Sequence, residues 1–291
     1  MTKPRAWRCF AGVMALALIL GVGAMAVPTS PALADGGTWD IQTVDGGHVW
    51  DTSLALDSNG YPHISYTTSL LNSHGQISSL HYARWTGTAW AKETVDPLPA
   101  IATSIALDSN NRPHISYTTG GLGSLHYASY NGTGWAKEVV DNILVFDTSI
   151  AVDSSNRPHI SYTTGAFNSH SLHYASYNGT GWAKEVVDNI PAVATSLALD
   201  SNNRPHISYA TGGLLSLHYA SYNGTGWETE IVDAVNVNST SIAVDSSNRP
   251  HISYTTSDIG PFVPGSLHYA RWTGTTWAKE TVDGSANLHS T

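Results

Sequence analysis

The sequence predicts an all-β fold, a β-propeller of five four-stranded blades, with a six-bladed ring as the alternative. One pattern occurs five times in approximate form between Ser53 and Asp283. It reads T-S-(I/L)-A-(L/V)-D-S-x-N-x-P-H-I-S-Y, followed by S-L-H-Y-A and G-x-x-W-x-x-E-x-V-D. Its proline recurs at positions 62, 113, 158, 205 and 250, so the repeat is 45 to 51 residues long. Such a period, in a sequence rich in β-branched and aromatic residues and without a sustained helical period, is typical of propeller blades.

Each repeat divides into four short runs with the residue types of β-strands. In the second repeat the predicted strands are 103–107, 114–118, 124–130 and 135–140. Between the first two strands, the Asp and Asn side chains of segment 108–113 can bond their own backbone and favour a turn. Asn131-Gly132, between the last two strands, is a strong signal for a tight hairpin. Both connections are short, which predicts antiparallel strands that are neighbours in sequence.

An additional strand is predicted before the first complete repeat. Residues 38–45 match the fourth strand of a repeat, as seen by alignment with residues 89–96. A five-bladed ring needs one strand fewer than this pattern supplies, and a six-bladed ring lacks three. We therefore expect the additional strand to cover an exposed edge beside the ring closure. The predicted single propeller domain spans 35–291, with blades at about 48–96, 97–141, 142–188, 189–233 and 234–283 and a tail at 284–291.

The first 34 residues have the order of charges and apolar residues that is typical of a cleaved secretory signal peptide. Lys3, Arg5 and Arg8 precede an apolar run at 9–27, and Ala32-Leu33-Ala34 supplies the small-residue cleavage motif. We therefore expect a secreted, extracellular mature chain of residues 35–291, without membrane insertion after the signal is removed.

Composition excludes several classes of function for the mature chain. The one cysteine of the sequence is Cys9, within the predicted signal, so a disulfide, a thiolate metal site and a cysteine nucleophile are all excluded. Without the three basic residues of the signal, 10 basic residues face 22 acidic ones, a net charge of 10 − 22 = −12. This charge argues against nucleic acid as a partner. No cofactor and no metal site are predicted.

A ligand site is expected at the end of the propeller where the repeats differ. In an up-and-down blade, the loop from strand two to strand three and the connection to the next blade emerge at the same end, and both vary in sequence. Repeats one and three share an aromatic residue, an Asp, an Asn and a His there. These eight candidates are Trp50, Asp51, Asn72, His74, Phe146, Asp147, Asn168 and His170.

An aromatic ring beside Asp and Asn is the combination that a sugar site needs, with an apolar surface for C–H groups and polar atoms for hydroxyls. Two such sets predict two similar sites and multivalent binding to an extracellular glycan or cell-surface ligand. The alternative interpretation is that the two aromatic residues fill the gap between adjacent blades while the aspartates cap turns.

Other polar residues recur in every repeat and so do not mark a unique catalytic centre. We expect the histidines of P-H-I to bond the turn aspartate or a neighbouring blade. The arginines of N-R-P are expected to pair with an aspartate of their own turn. The fourth-strand glutamates are expected to lie in solvent. The histidines are His63, His114, His159, His206 and His251. No catalytic residue is predicted.

The elements L-D-S-N-G-x-P-H-I-S-Y at 56–66 and L-H-Y-A-x-W at 80–85 resemble the repeats of secreted bacterial propellers of the BNR or sialidase-like superfamily. The resemblance extends over nearly all of residues 38–283. It implies a propeller fold and contact with glycans, since that group includes sialidases, polysaccharide lyases and noncatalytic carbohydrate-binding propellers.

The sequence departs from the enzymes of that group. The Asp-box S-x-D-x-G-x-T-W is absent, and Arg84 and Arg271 are the only mature-chain arginines outside the repeated turns, where a sialidase needs three that converge. His74 or His170 could act as a lyase base, but no arginine lies in the variable loops to neutralise a uronate. The sequence thus favours a noncatalytic carbohydrate-binding propeller. Two alternatives are a structural or protein-binding extracellular propeller, and a polysaccharide lyase or sialidase-like glycosidase.

Overall fold

The structure is a computed structural model that describes residues 41–72, 75–119, 123–166, 169–211, 216–256 and 265–284. The predicted signal peptide, residues 38–40 of the predicted additional strand and tail residues 285–291 lie outside this part of the chain. Within it, no helix is long and apolar enough to cross a membrane.

The described residues form twenty strands in five sheets, and in each sheet four consecutive strands pair in sequence order. Blade 1 contains β1 (Val49–Leu56), β2 (Pro62–Asn72), β3 (Gly75–Trp85) and β4 (Trp90–Asp96). Blade 2 contains β5 (Ala100–Leu107), β6 (Pro113–Thr119), β7 (Leu125–Tyr130) and β8 (Trp135–Asp141). Blade 3 contains β9 (Val145–Val152), β10 (Pro158–Ala166), β11 (Ser169–Tyr177) and β12 (Trp182–Asp188).

Blade 4 contains β13 (Ala192–Leu199), β14 (Pro205–Thr211), β15 (Leu217–Tyr222) and β16 (Trp227–Asp233). Blade 5 contains β17 (Val237–Val244), β18 (Pro250–Thr256), β19 (Ser266–Trp272) and β20 (Trp277–Asp283). All pairs of neighbouring strands are antiparallel. The prediction of an all-β propeller with five four-stranded blades is confirmed.

The turns have the geometry that their residue types favour. Oδ1 of Asp108 accepts hydrogen bonds from the backbone N–H groups of Asn110 and Arg112, at 2.8 and 2.7 Å. Asn111 adopts φ +61°, a left-handed conformation that Asn tolerates better than most residues. Gly132 has φ +99° in the hairpin of the same blade. Side-chain and backbone chemistry within each blade therefore sets the geometry of these turns.

The apolar core lies between adjacent blades. At the first junction, Leu80 and Tyr82 of β3 and Val95 of β4 pack against Ile105 and Ile115 of the next blade, and all five are buried. Equivalent residues form the clusters at the following junctions. Burial of each large apolar side chain contributes roughly 1.5–3 kcal/mol relative to solvent exposure. The blades are therefore held together mainly by hydrophobic contacts between their faces.

A polar set also crosses each junction. The hydroxyl of Tyr117 donates to Oδ2 of Asp96 at 2.6 Å, and the ammonium group of Lys137 lies 3.2 Å from Oδ1 of the same aspartate. Further along the chain, Nε1 of Trp182 donates to Glu138 at 3.0 Å. The fourth-strand glutamates are exposed as expected, but Glu138 also holds the tryptophan of the next blade, a contact that the sequence interpretation missed.

The predicted additional strand takes a different form. Residues 41–45 join no sheet, because no third strand lies beside them in the part of the chain that the structure describes. They nevertheless contact blade 1 through side chains, whereas their predicted role in covering an edge stays a prediction. The Tyr66 hydroxyl donates to Asp45 at 2.9 Å, Lys92 lies 3.8 Å from Asp45, and Trp90 donates to Gln42 at 3.2 Å.

Candidate functional site at the rim of the inner strands

The inner strands β1, β5, β9, β13 and β17 pack side by side in that order. Each presents its second residue to solvent at the end of the blade where the repeats differ, and we call this set the rim. The rim residues are Trp50, Ile101, Phe146, Val193 and Asn238. Four of the five are apolar, so the rim combines solvent exposure with an unusual share of apolar surface.

The two predicted aromatic residues are exposed members of this rim. Trp50 is 52% exposed and Phe146 is 47% exposed. If these two aromatic residues filled the gap between blades, their side chains would be buried, and they are not. In blade 3 the residue that is buried at the junction is the preceding one, Val145. The aromatic surface is therefore accessible to a ligand.

The aspartate that follows each aromatic residue connects two blades. Oδ2 of Asp51 accepts from the backbone N–H of Thr103 at 2.8 Å, and its Oδ1 accepts from Thr52 at 3.0 Å. Oδ2 of Asp147 accepts from the N–H of Thr195 at 2.9 Å. Each carboxyl group thus joins its own inner strand to that of the next blade, and its orientation beside the rim is set by backbone donors.

Burial perturbs both carboxyl groups. Desolvation raises the pKa of Asp51 to about 7, and the negative charge of Asp147 adds to this effect. Desolvation also raises the pKa of Asp147 to about 6. Hydrogen bonds from the backbone oppose the shift in both cases without cancelling it. Near neutral pH, Asp51 can therefore be present either as a hydrogen-bond donor or as a charged acceptor.

Of the other four predicted site residues, two lie in the part of the chain that the structure describes. Asn72 pairs with Gly75 at the end of the β2–β3 hairpin, and His170 pairs with Gly165 near the corresponding end of β10–β11. Both backbones therefore lie at the end of the blade that the sequence predicted. His74 and Asn168 lie outside the described residues. Their assignment to a binding site, like that of the other candidates, stays a prediction.

The repeated histidines belong to a structural network at the opposite end. His114 Nδ1 bonds the hydroxyl of Tyr127, and its Nε2 lies 3.9 Å from Asp108 of the turn. The same arrangement joins His159 to Tyr174, with Nε2 3.5 Å from Asp153. The expected proximity to the turn aspartate is confirmed. The tyrosine partner was missed, although the L-H-Y element of every repeat carried the signal.

Burial lowers the pKa of His114 and of His159, which keeps both imidazoles neutral at physiological pH. Two of the turn arginines pair as expected, because Arg157 lies 2.8 Å from Asp153 and Arg249 lies 2.7 Å from Asp245. Across the described ranges, no group of three or more His, Cys, Asp or Glu side chains is arranged to hold a metal ion.

Comparisons with known proteins identify the fold. No protein-family model matches the chain, and a search of curated proteins finds no match. Among solved structures, a leech intramolecular trans-sialidase in complex with 2,7-anhydro-Neu5Ac is 10% identical, with a TM-score of 0.59. An α-L-arabinofuranosidase from Lactobacillus brevis is 8% identical, with a TM-score of 0.51.

The superposition with the trans-sialidase covers 85% of this chain and 64% of that protein, and the superposition with the arabinofuranosidase covers 78% and 92%. This chain thus spans a little under two thirds of the length of the trans-sialidase. At these identities the likeness concerns architecture. The chain has the fold of a sialidase-like β-propeller.

Proposed function

We propose that this protein, once exported, is a noncatalytic propeller that binds an extracellular glycan at the rim. Its two binding sets are Trp50 with Asp51 and Phe146 with Asp147. The observation that carries the proposal is the pairing, twice in the chain, of a half-exposed aromatic ring with a carboxyl group oriented by backbone N–H groups. Two solved structures of similar fold are a trans-sialidase and an arabinofuranosidase, which supports carbohydrate as the ligand class.

The chemistry of the rim suits a sugar. A pyranose ring offers a C–H face that packs on an aromatic ring and hydroxyl groups that exchange hydrogen bonds with carboxyl oxygens. Covering about 50 Å² of apolar ring surface contributes only about 1 kcal/mol. Each set alone therefore supports weak binding. A polymer that reaches both sets gains from the high effective concentration of the second one.

Blades 2 and 4 provide internal controls for this proposal. Ile101 and Val193 occupy the rim positions that correspond to Trp50 and Phe146, with similar exposure. The residues that follow them are Ala102 and Ala194, which lack a carboxyl group. These blades present apolar surface without an aromatic ring or a polar partner, and we expect them to contribute little to sugar binding.

A glycosidase is the second candidate, and one observation favours it. Asp51 and Asp147 interact electrostatically, and both have raised pKa values. Glycoside hydrolysis by the usual route needs two carboxyl groups, one of them protonated near neutral pH. Against this role, each of these carboxyl groups already bonds the backbone of the next blade.

The test is a glycan-array screen of the mature chain, in calcium and in chelator, that scores retention and cleavage of each glycan. The double variant Trp50→Ala/Phe146→Ala is compared with the control Ile101→Ala/Val193→Ala. We expect retention without cleavage, lost in the first variant and kept in the second. Cleavage that disappears in Asp51→Asn would establish the glycosidase instead. Silence across a broad array would favour a structural or protein-binding propeller.

A further inference from the structure

The two end blades of the array differ from the three between them. At each of the four internal junctions, the inner strand of one blade packs against the inner strand of the next, but β1 and β17 make no comparable contact. Each end blade therefore has one face without a neighbouring blade among the described residues. We call these the leading face of blade 1 and the trailing face of blade 5.

Exposure measures how open these faces are. On the leading face, Val49 is 40% exposed, whereas the equivalent residues of the other blades are at most 3% exposed. Those equivalents are Ala100, Val145, Ala192 and Val237. On the trailing face, Val282 is 58% exposed, whereas its equivalents are at most 8% exposed. Those are Val95, Val140, Val187 and Val232. Both faces keep the apolar residues of a blade junction without the cover that a junction supplies.

Residues 41–45 already supply one part of the missing cover. At all four internal junctions, the aspartate that ends a fourth strand accepts from a tyrosine of the next blade. At three of them it also pairs with a lysine of that blade, as Asp96 does with Tyr117 and Lys137. Asp45 makes the same two contacts with Tyr66 and Lys92 of blade 1. Segment 41–45 therefore occupies the place of the fourth strand of a preceding blade.

A cavity lies where side chains of that preceding blade would pack. A cavity of about 500 Å³ lies beside the segment, lined by residues 42–45 together with Val49, Thr52, Ser53, Leu54, Ile64 and Tyr66. At the first internal junction the corresponding space holds Leu80 and Tyr82 of a third strand. Serines of the first and second strands, Ser53 and Ser65, also bond the next inner strand there.

We propose that the leading face is an interaction surface for a three-stranded antiparallel β-unit with this repeat's own first, second and third strands. In the complex, segment 41–45 pairs with the third of these strands and becomes the fourth strand of a complete blade. The third strand supplies a Leu and a Tyr to the cavity, with the pattern L-H-Y-A that pairs with a fourth strand in every blade. We expect this contact to use the same residue types that meet at the four internal junctions.

The same unit accounts for the trailing face. A first strand placed after blade 5 covers Val282, Leu267 and Tyr269, as β5 covers the corresponding residues of blade 1. Leu267 is only half-buried, whereas the equivalent leucines of blades 1 to 4 are fully buried. One unit of three strands thus carries the residue types that suit both open faces. This agreement is the strongest reason to identify the occupant as a blade.

The proposal is tested by supplying the strands. The chain is extended after Asp283 by a second copy of residues 234–272, in place of residues 284–291, and compared with the wild-type chain. We expect the backbone amides of residues 41–45 to exchange with solvent at least 100-fold more slowly in the extended chain. We also expect its thermal midpoint to rise by several degrees, because two apolar faces become buried.

Two controls separate a specific fit from simple lengthening. The first is the same extension with Leu267→Ser and Tyr269→Ser made in the appended copy only, which removes the side chains that enter the cavity. The second is the intact extension on an Asp45→Ala chain. We expect the first to abolish the protection of residues 41–45 and the second to weaken it.

Three results would overturn the proposal. Unchanged exchange at residues 41–45 in the extended chain means that the cavity does not accept the strands. A wild-type chain that sediments as a dimer with slow exchange at these residues means that a second copy covers the face. A monomer that Val49→Asp and Val282→Asp destabilise equally and strongly means that blades 1 and 5 close on each other.

Discussion

Replacing Asp51 by asparagine removes a carboxyl group whose pKa burial raises from 3.8 to about 7. Below about pH 4 the group is protonated in both the folded and the unfolded chain, and it carries no charge penalty. As the pH rises from about 4 to about 7, the unfolded chain releases this proton first, so the free energy of unfolding falls. Above about pH 7 both states are ionised and the penalty is constant.

The size of the penalty follows from the shift. About three pKa units at 1.36 kcal/mol each give an upper bound of about 4 kcal/mol. Asp51 retains some solvent access, which reduces this figure, and we expect about 2 kcal/mol. The introduced asparagine keeps an amide oxygen that can accept from the N–H of Thr103. The Asp51→Asn variant should therefore be about 2 kcal/mol more stable than the wild type at pH 8 and nearly equal to it at pH 3.5.

The assay is urea unfolding of both proteins, followed by circular dichroism at half-unit steps from pH 3.5 to pH 8. Because other aspartates have lowered pKa values and contribute the opposite slope at low pH, the informative quantity is the difference between the two profiles. Glu93→Gln removes one negative charge at an exposed position and is the matched control. If the Asp51→Asn and wild-type profiles run parallel, the carboxyl group is not destabilised by burial and the reasoning fails.

Two further substitutions test how the blades are joined. Tyr117→Phe removes the donor to the buried Asp96 at 2.6 Å and should lower the free energy of unfolding by about 1–3 kcal/mol. The control Tyr61→Phe, at an exposed position, should change it by less than about 0.5 kcal/mol. Equal effects of the two substitutions would contradict the role of the hydrogen bond. Ile115→Ala, at a fully buried junction position, should cost about 2–5 kcal/mol, and Ile64→Ala, at the equivalent position of the open leading face, should cost clearly less. Equal losses at positions 115 and 64, measured by the same urea titration, would show that the leading face is covered in solution.

The sequence was sufficient to predict the blades because the information needed is local. Asp108, Asn111 and Gly132 select their turns from their own side-chain chemistry and backbone preferences. The predicted strands 103–107 and 114–118 lie within the observed β5 and β6. Because the same turns and strands recur in five repeats, the assignment in each repeat is supported by the other four.

Contacts between blades were harder to predict, because they depend on which face of one sheet meets the next. The hydrogen bond that the Thr103 N–H donates to Asp51 joins residues 52 positions apart, and no short motif marks it. The same holds for Trp182 and Glu138, 44 positions apart. For this reason the sequence predicts the glutamates in solvent alone and the aspartates as turn caps or ligands, whereas their observed contacts join neighbouring blades.

The candidate site was located by comparing repeats with one another. The difference between Trp50 and Ile101 at one rim position was visible in the sequence, but exposure of the ring was not, since aromatic residues are more often buried. The sequence also did not predict how residues 41–45 contact blade 1. Their match to a fourth strand predicted strand pairing, while the structure shows the side-chain contacts of a fourth strand without its ladder.

Titration calorimetry with a fragment of the best-retained glycan, short enough to occupy one set only, is the most direct test of a rim that binds carbohydrate. We expect two sites per chain in the wild type, one site in Trp50→Ala and in Phe146→Ala, and no heat of binding in the double variant. Ile101→Ala/Val193→Ala should retain two sites. Binding with unchanged stoichiometry and affinity in the Trp50→Ala/Phe146→Ala chain would contradict the account and place the glycan elsewhere on the propeller.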